Sequence, residues 1–121
     1  VFDSENKPKG FNRVYLATLN STRAFKWLLR NEAAFRQELL LLILSIPVTF
    51  LFNITLKEQL ILIIAVLFIM FTEIVNTAIE AVVDRIGFEI HPLSGLAKDL
   101  GSAAVLVSIV IAICIWLVVL F

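Results

Sequence analysis

Residues 71–84 read F-T-E-I-V-N-T-A-I-E-A-V-V-D, and Glu73, Asn76, Glu80 and Asp84 follow one another at intervals of three, four and four residues. At ~100° per residue these four side chains fall within one ~80° stripe of a helix, so one face carries three carboxylates and an amide. An unbroken apolar run, Leu60 to Phe71, leads into the stripe. Counting ~1.5 Å per residue from Leu60 places Glu73 roughly 20 Å into a hydrocarbon core, Glu80 at the far boundary and Asp84 beyond it. A carboxylate at such depth needs a partner, a metal or water, which makes it a functional candidate.

Working outward, the chain has 121 residues, 60% hydrophobic and 17% charged. Soluble proteins average about 45–50% apolar, so an integral membrane protein is expected. No signal-peptide layout is expected, because a long basic segment precedes the first apolar run. The four glycines, at 10, 87, 95 and 101, are too scattered for a P-loop or a glycine-rich kinase loop. Cys114 is a lone thiol in an apolar stretch, which excludes an internal disulfide.

The fold expected is all-α: an N-terminal amphipathic surface helix followed by three transmembrane helices. Residues 1–30 form a polar tail and the surface helix, in which Phe11, Val14, Tyr15, Phe25 and Leu29 recur at helical spacing with Arg13, Arg23 and Arg30 to one side. Residues 31–121 form the three-helix domain, with spans at about 33–53, 56–86 and 97–121. The first span borrows Ala33, Ala34 and Phe35 from its polar front, since Leu39 to Phe52 alone gives only ~21 Å of helix. Asn53 to Glu58 is expected as a polar turn, Gly87 as the end of the second span, and Phe88 to Leu93 as a loop. Seven Lys or Arg precede the apolar run Leu39 to Phe52, Arg85 and Lys98 flank the second loop, and Lys57 alone lies in the first turn. That bias predicts a cytoplasmic N-terminus, a C-terminus outside, and a site at the cytoplasmic face.

Three ionised acids with only Arg85 and Lys98 nearby would repel one another, so either their pKa values rise or cations sit among them. A hard divalent ion such as Mg²⁺ takes one or two carboxylates plus substrate phosphates, and Glu32 with Glu80 is the expected pair. Lys98 and Arg13 suit a triphosphate. His91 has no second His or Cys at ligand spacing and is read as a loop residue. Trp27 and Trp116 fit membrane interfaces.

The segments N-E-A-A-F-R-Q-E (Asn31 to Glu38), E-I-V-N-T-A-I-E-A-V-V-D-R-I-G (Glu73 to Gly87) and A-K-D-L-G-S-A-A-V-L (Ala97 to Leu106) resemble the small bacterial integral-membrane diacylglycerol kinases. The resemblance implies a homotrimer in the bacterial inner membrane, with sites shared between protomers. It also implies transfer of the γ-phosphoryl group of MgATP to diacylglycerol, giving phosphatidic acid, and no nucleic-acid partner. By the same resemblance Glu73 is the general base, with Asn76 beside it, and Glu32 and Glu80 hold the metal. Nucleotide contacts would come from Arg13, Asn20, Glu32, Glu80, Asp84, Glu89, Ile90, His91, Lys98 and Asp99. Lipid contacts would come from Ala17, Thr18, Leu19, Asn20, Ser21, Thr22, Ala34, Phe35, Arg36, Gln37, Glu38, Gln59, Glu73, Ser102 and Trp116. Ile90 and Asn20 stand where the family pattern has tyrosines, so aromatic contacts to the nucleotide are not expected at those positions. An undecaprenol kinase of the same family differs only in its acceptor. A small transporter or a structural helix bundle would be a different class. A transporter's carboxylate needs access from both sides, whereas here every acid but Glu58 lies near one side.

Overall fold

The computed structural model describes residues 7–121; the outermost part of the expected N-terminal tail, residues 1–6, lies outside them. The described chain is helical, in the order α1 (Phe11–Asn31), α2 (Ala33–Thr49), α3 (Leu56–Ile86) and α4 (Pro92–Leu120). It divides into two units, one ending at Arg36 and the other running from Gln37 to Phe121.

In the first unit, Gly10 precedes α1 with φ 66°, a left-handed conformation that glycine adopts without Cβ strain. Thr18, Ser21 and Thr22 donate back to the carbonyls of Val14, Ala17 and Thr18. The apolar residues Phe11, Val14, Tyr15 and Phe25 are exposed. Glu32 alone breaks the helical run: it is extended, at φ −114° and ψ 106°, while its N–H still donates to Leu28 O at 2.9 Å. Arg36 steadies this joint by donating Nη1 to Leu29 O at 3.0 Å, and Phe25 and Phe35 meet with ring centroids 6.2 Å apart.

The second unit is built on α3 and α4. At 31 and 29 residues they would reach ~46 and ~43 Å, well beyond a ~30 Å hydrocarbon core. Both are apolar enough to cross a membrane. α2, with 17 residues, gives only ~25 Å and ends at Thr49, four residues short of the expected boundary. Pro47 lies inside α2, two residues before its end, and the chain leaves through tight turns, Phe50 N–H to Pro47 O and Leu51 N–H to Val48 O. Gln59 Nε2 donates to the buried Thr49 Oγ1 at 2.7 Å and ties α3 to the end of α2.

α3 keeps the expected span of 56–86, but the turn before it and the loop after it are shorter than expected. The polar turn does not reach Glu58, because Thr55 and Glu58 form a reciprocal capping box that starts α3 at Leu56. The second loop does not reach Leu93, because Pro92 occupies the first helical turn and His91 Nδ1 accepts the N–H of Leu93 at 3.1 Å. α4 therefore begins five residues before the expected position 97.

Cross-contacts run in opposite order along α3 and α4, so the pair is antiparallel. Trp116 Nε1 donates to Leu62 O at 3.1 Å, and Ala65, Ile69 and Ala112 form a small buried core against Ile115 and Trp116. Thr72 and Ser108 share a hydroxyl–hydroxyl bond of 2.9 Å, Asn76 lies against Gly101, and Lys98 Nζ meets Asp84 Oδ1 at 2.9 Å. Apolar area drives little association between helices in lipid, so these small and polar contacts fix the register.

Candidate functional site

The stripe read from the sequence lies within α3, which runs unbroken through residues 73–84. Glu73, Asn76 and Thr77 are buried, whereas Glu80 and Asp84 are partly exposed, so polarity and access rise together toward the C-terminal end. Asn76 Nδ2 donates to Glu80 Oε1 at 3.4 Å, a long bond that still joins two members of the stripe. Asn76 Oδ1 is buried with no hydrogen-bond partner among the described residues. Gly101 makes this placement possible, since a Cβ there would run into Asn76 Oδ1 and stand 3.2 Å from Cγ.

α2 brings a further acid to the stripe. Glu38 lies close enough to Glu73 for their charges to repel, and its Oε1 is buried and unbonded among the described residues. The two are 35 positions apart and on different helices, so helical spacing could not pair them.

Beyond Asp84 the stripe opens into a cleft of about 240 Å³ between the end of α3, the connecting segment and the start of α4. Asp84, Glu89, Ile90, His91 and Lys98 line it, so five expected nucleotide residues share one space. Gly87 leaves room for Glu89 to fold back, because a Cβ at Gly87 would stand 2.7 Å from Glu89 Oε2. Lys98 and Asp84 are both about half exposed and form an ion pair across the cleft. His91 spends Nδ1 as a helix cap, and Ile90 is fully exposed. Asp99 is exposed on α4 outside the cleft lining.

The remaining expected residues are spread along the chain. Arg13, Ala17, Thr18 and Ser21 line a groove on α1. Asn20 accepts a hydrogen bond from Arg23, and Glu32 is the α1–α2 joint. Phe35 is buried, Ala34 partly so, and Arg36, Gln37 and Ser102 are exposed. The amide of Gln59 and the indole N–H of Trp116 are already engaged by Thr49 and Leu62. Among the described residues no three His, Cys, Asp or Glu side chains converge where a metal could sit, so any divalent ion would lean on one or two carboxylates and on ligand oxygens. Glu80, partly exposed and only weakly bonded, has the hard oxygen donors such an ion prefers.

Two features escaped the sequence reading. The Thr72–Ser108 hydroxyl pair joins α3 to α4, and buried Thr77 lies on the stripe itself. Threonine is neutral in hydropathy, and only its position four residues after Glu73 marked it.

A buried acid on a long apolar helix, opening through further acids into a polar cleft, suits chemistry at a membrane boundary. Comparison with known proteins identifies the family. Residues 19–120 match the model for prokaryotic diacylglycerol kinase. The chain belongs to the prokaryotic diacylglycerol kinase family. It is 43% identical over 116 residues to the diacylglycerol kinase of Escherichia coli K12, covering 96% of this chain and 95% of that protein. It is 42% identical to the diacylglycerol kinase of Haemophilus influenzae, covering 95% of this chain and 98% of the relative. Against the Pseudomonas aeruginosa diacylglycerol kinase it is 42% identical over 92% of this chain and 90% of the relative.

Proposed function

We propose that this protein is an ATP-dependent kinase that transfers the γ-phosphoryl group of MgATP to the free hydroxyl of diacylglycerol, giving phosphatidic acid and ADP. One observation carries the reading of the site: the face of α3 that buries Glu73 continues through Asn76, Glu80 and Asp84 into the cleft lined by Lys98. A lipid kinase must bring a membrane-bound hydroxyl to a water-soluble donor, and this face has one end of each kind.

In the proposed reaction the lipid hydroxyl oxygen bonds to the γ-phosphorus, the bond to the ADP oxygen breaks, and Glu73 takes the hydroxyl proton. Asn76 orients the stripe by holding Glu80. Glu32 and Glu80 would hold Mg²⁺, and the bound ion would supply charge neutralisation for the transfer. Lys98 and Arg13 contact the phosphates, with Asp99 beside Lys98. Glu89, Ile90 and His91 flank the adenosine, and Asn20 lies toward the nucleotide. α2 crosses the membrane as the third span, using its polar front to reach the boundary, and α1 lies on the cytoplasmic surface with its exposed apolar stripe in the headgroup layer. The protomers form a homotrimer in the inner membrane, with the N-terminus cytoplasmic and the C-terminus outside. α1 from Ala17 to Thr22, the segment Ala34 to Glu38, Gln59, Ser102 and Trp116 line the path of the lipid.

The test is Glu73→Gln, which keeps size and removes the base. Phosphorylation of diacylglycerol in mixed micelles with radiolabelled ATP is expected to fall at least ~100-fold. MgATP affinity and helix content should stay near parental, since a neutral amide is cheaper to bury than a carboxylate. Turnover at the parental rate would remove Glu73 from the mechanism.

A further inference from the structure

Several helical hydroxyls turn back on their own backbone. Thr18, Ser21, Thr22, Ser45 and Thr49 each donate to a carbonyl three or four residues earlier, at 2.6–2.9 Å, and Thr72 and Ser108 lie between such a carbonyl and each other. This is an ordinary way for a helix to satisfy a hydroxyl. Thr77 departs from it: the residue is only 9% exposed, and its Oγ1 is buried with no hydrogen-bond partner among the described residues. Buried hydroxyls are rarely left so, because the desolvation cost is not recovered.

The position of Thr77 indicates what it serves. It lies one turn after Glu73 and just under one turn before Glu80, on the same face, at rises of ~6 Å and ~4.5 Å. The lipid hydroxyl at Glu73 and the metal-bound phosphates at Glu80 must meet between those levels. Phosphoryl oxygens there face carboxylates on either side, and a neutral donor is the group that can approach them without adding negative charge. We propose that Thr77 is a further catalytic residue, its hydroxyl donating a hydrogen bond to an oxygen of the phosphoryl group in transfer. This rests on reading the stripe as the phosphoryl-transfer site. The hydroxyl keeps its proton throughout, and Glu73 remains the base.

The experiment uses the full chain in mixed micelles containing diacylglycerol, with kcat, KM for MgATP and KM for lipid measured for the parent, Glu73→Gln, Thr77→Val and Thr77→Ser, and with thermal unfolding followed on each. Thr77→Val replaces hydroxyl by methyl at nearly constant volume. It is expected to lower kcat at least about tenfold, a threshold set below the ~100–1000-fold usual for loss of one donor to a developing oxyanion, with both KM values within about threefold of parental. Its unfolding midpoint should be unchanged or raised, because an unsatisfied buried hydroxyl has been removed. Thr77→Ser, which keeps the hydroxyl, should recover most of the lost turnover. Parental kcat in Thr77→Val overturns the proposal. So does a fall in kcat accompanied by an equal loss of stability or assembly, which would make the hydroxyl a helix–helix contact, including one between copies. Failure of Thr77→Ser to recover turnover also overturns it. With an active parent and inactive Glu73→Gln, those results count against Thr77 alone; a parent that phosphorylates no diacylglycerol overturns the site reading and this proposal with it.

Discussion

Gly101→Ala separates packing from chemistry. The added Cβ would run into Asn76 Oδ1 and come within 3.2 Å of Cγ, while Asn76 Cβ stands at 3.7 Å. The first atoms met belong to the end of a side chain, so the contact is relieved by turning the Asn76 amide rather than by parting the helices. Such a turn costs about 0.5–1.5 kcal/mol in rotamer energy. Alanine in place of glycine inside a helix returns about 1 kcal/mol, so net stability is expected to stay within roughly 1 kcal/mol of parental. Activity has no such compensation. The Asn76–Glu80 bond is already 3.4 Å long, and any turn of the amide breaks it. Because small misplacements in a positioned site can cost up to ~100-fold, a fall in kcat of about tenfold or more is expected. The assay is lipid phosphorylation in mixed micelles, paired with thermal unfolding of the same preparation. Gly95→Ala is the stability control, since a Cβ there meets nothing within 4 Å and should stabilise by about 0.5–1 kcal/mol. Parental turnover in Gly101→Ala would refute the role given to Asn76. A loss of about 1–3 kcal/mol of stability would show instead that the helices separate, the ordinary result of overpacking, and would refute the rotation argument.

Glu80→Gln removes charge from a proposed metal ligand, so the dissociation constant for MgATP measured by equilibrium binding should rise roughly tenfold or more, together with a fall in turnover. Normal affinity would move the metal elsewhere. Trp116→Phe keeps an aromatic ring but removes the donor to Leu62 O and part of the packing on the buried core, so unfolding should become easier by about 1 kcal/mol or more; an unchanged midpoint would mean that the 3.1 Å bond holds nothing.

Helix boundaries were legible wherever a residue type carries its own stop or start. Gly87 ends α3 where expected, and the start near Leu56 follows from the residues around it. Boundaries failed where a polar residue was read as loop although its side chain begins a helix: Glu58 closes a capping box, and His91 caps α4. The end of α2 was misplaced because apolar residues continue to Phe52, while the chain already turns out of the helix after Thr49. On α3 the stripe was legible because helical spacing alone aligns Glu73, Asn76, Glu80 and Asp84. What spacing could not give was anything contributed by another element: Glu38 beside Glu73, Gly101 under Asn76, or Lys98 reaching Asp84. Thr77 lay in plain view on the stripe but carries no charge, and only its unmet hydrogen bond sets it apart.

The four ties along α3 and α4, from Trp116–Leu62 through Thr72–Ser108 and Asn76–Gly101 to Lys98–Asp84, make length as much a constraint on this protein as composition. A single residue inserted between Glu73 and Asn76 would leave every side chain present and every segment as apolar as before. It would nonetheless rotate all that follows by ~100° about the helix axis, carrying Glu80 and Asp84 off the face they share with Glu73. Among the described residues, the few of α4 beyond Trp116 bear no such side-chain tie, and there the chain can change its count without disturbing the face.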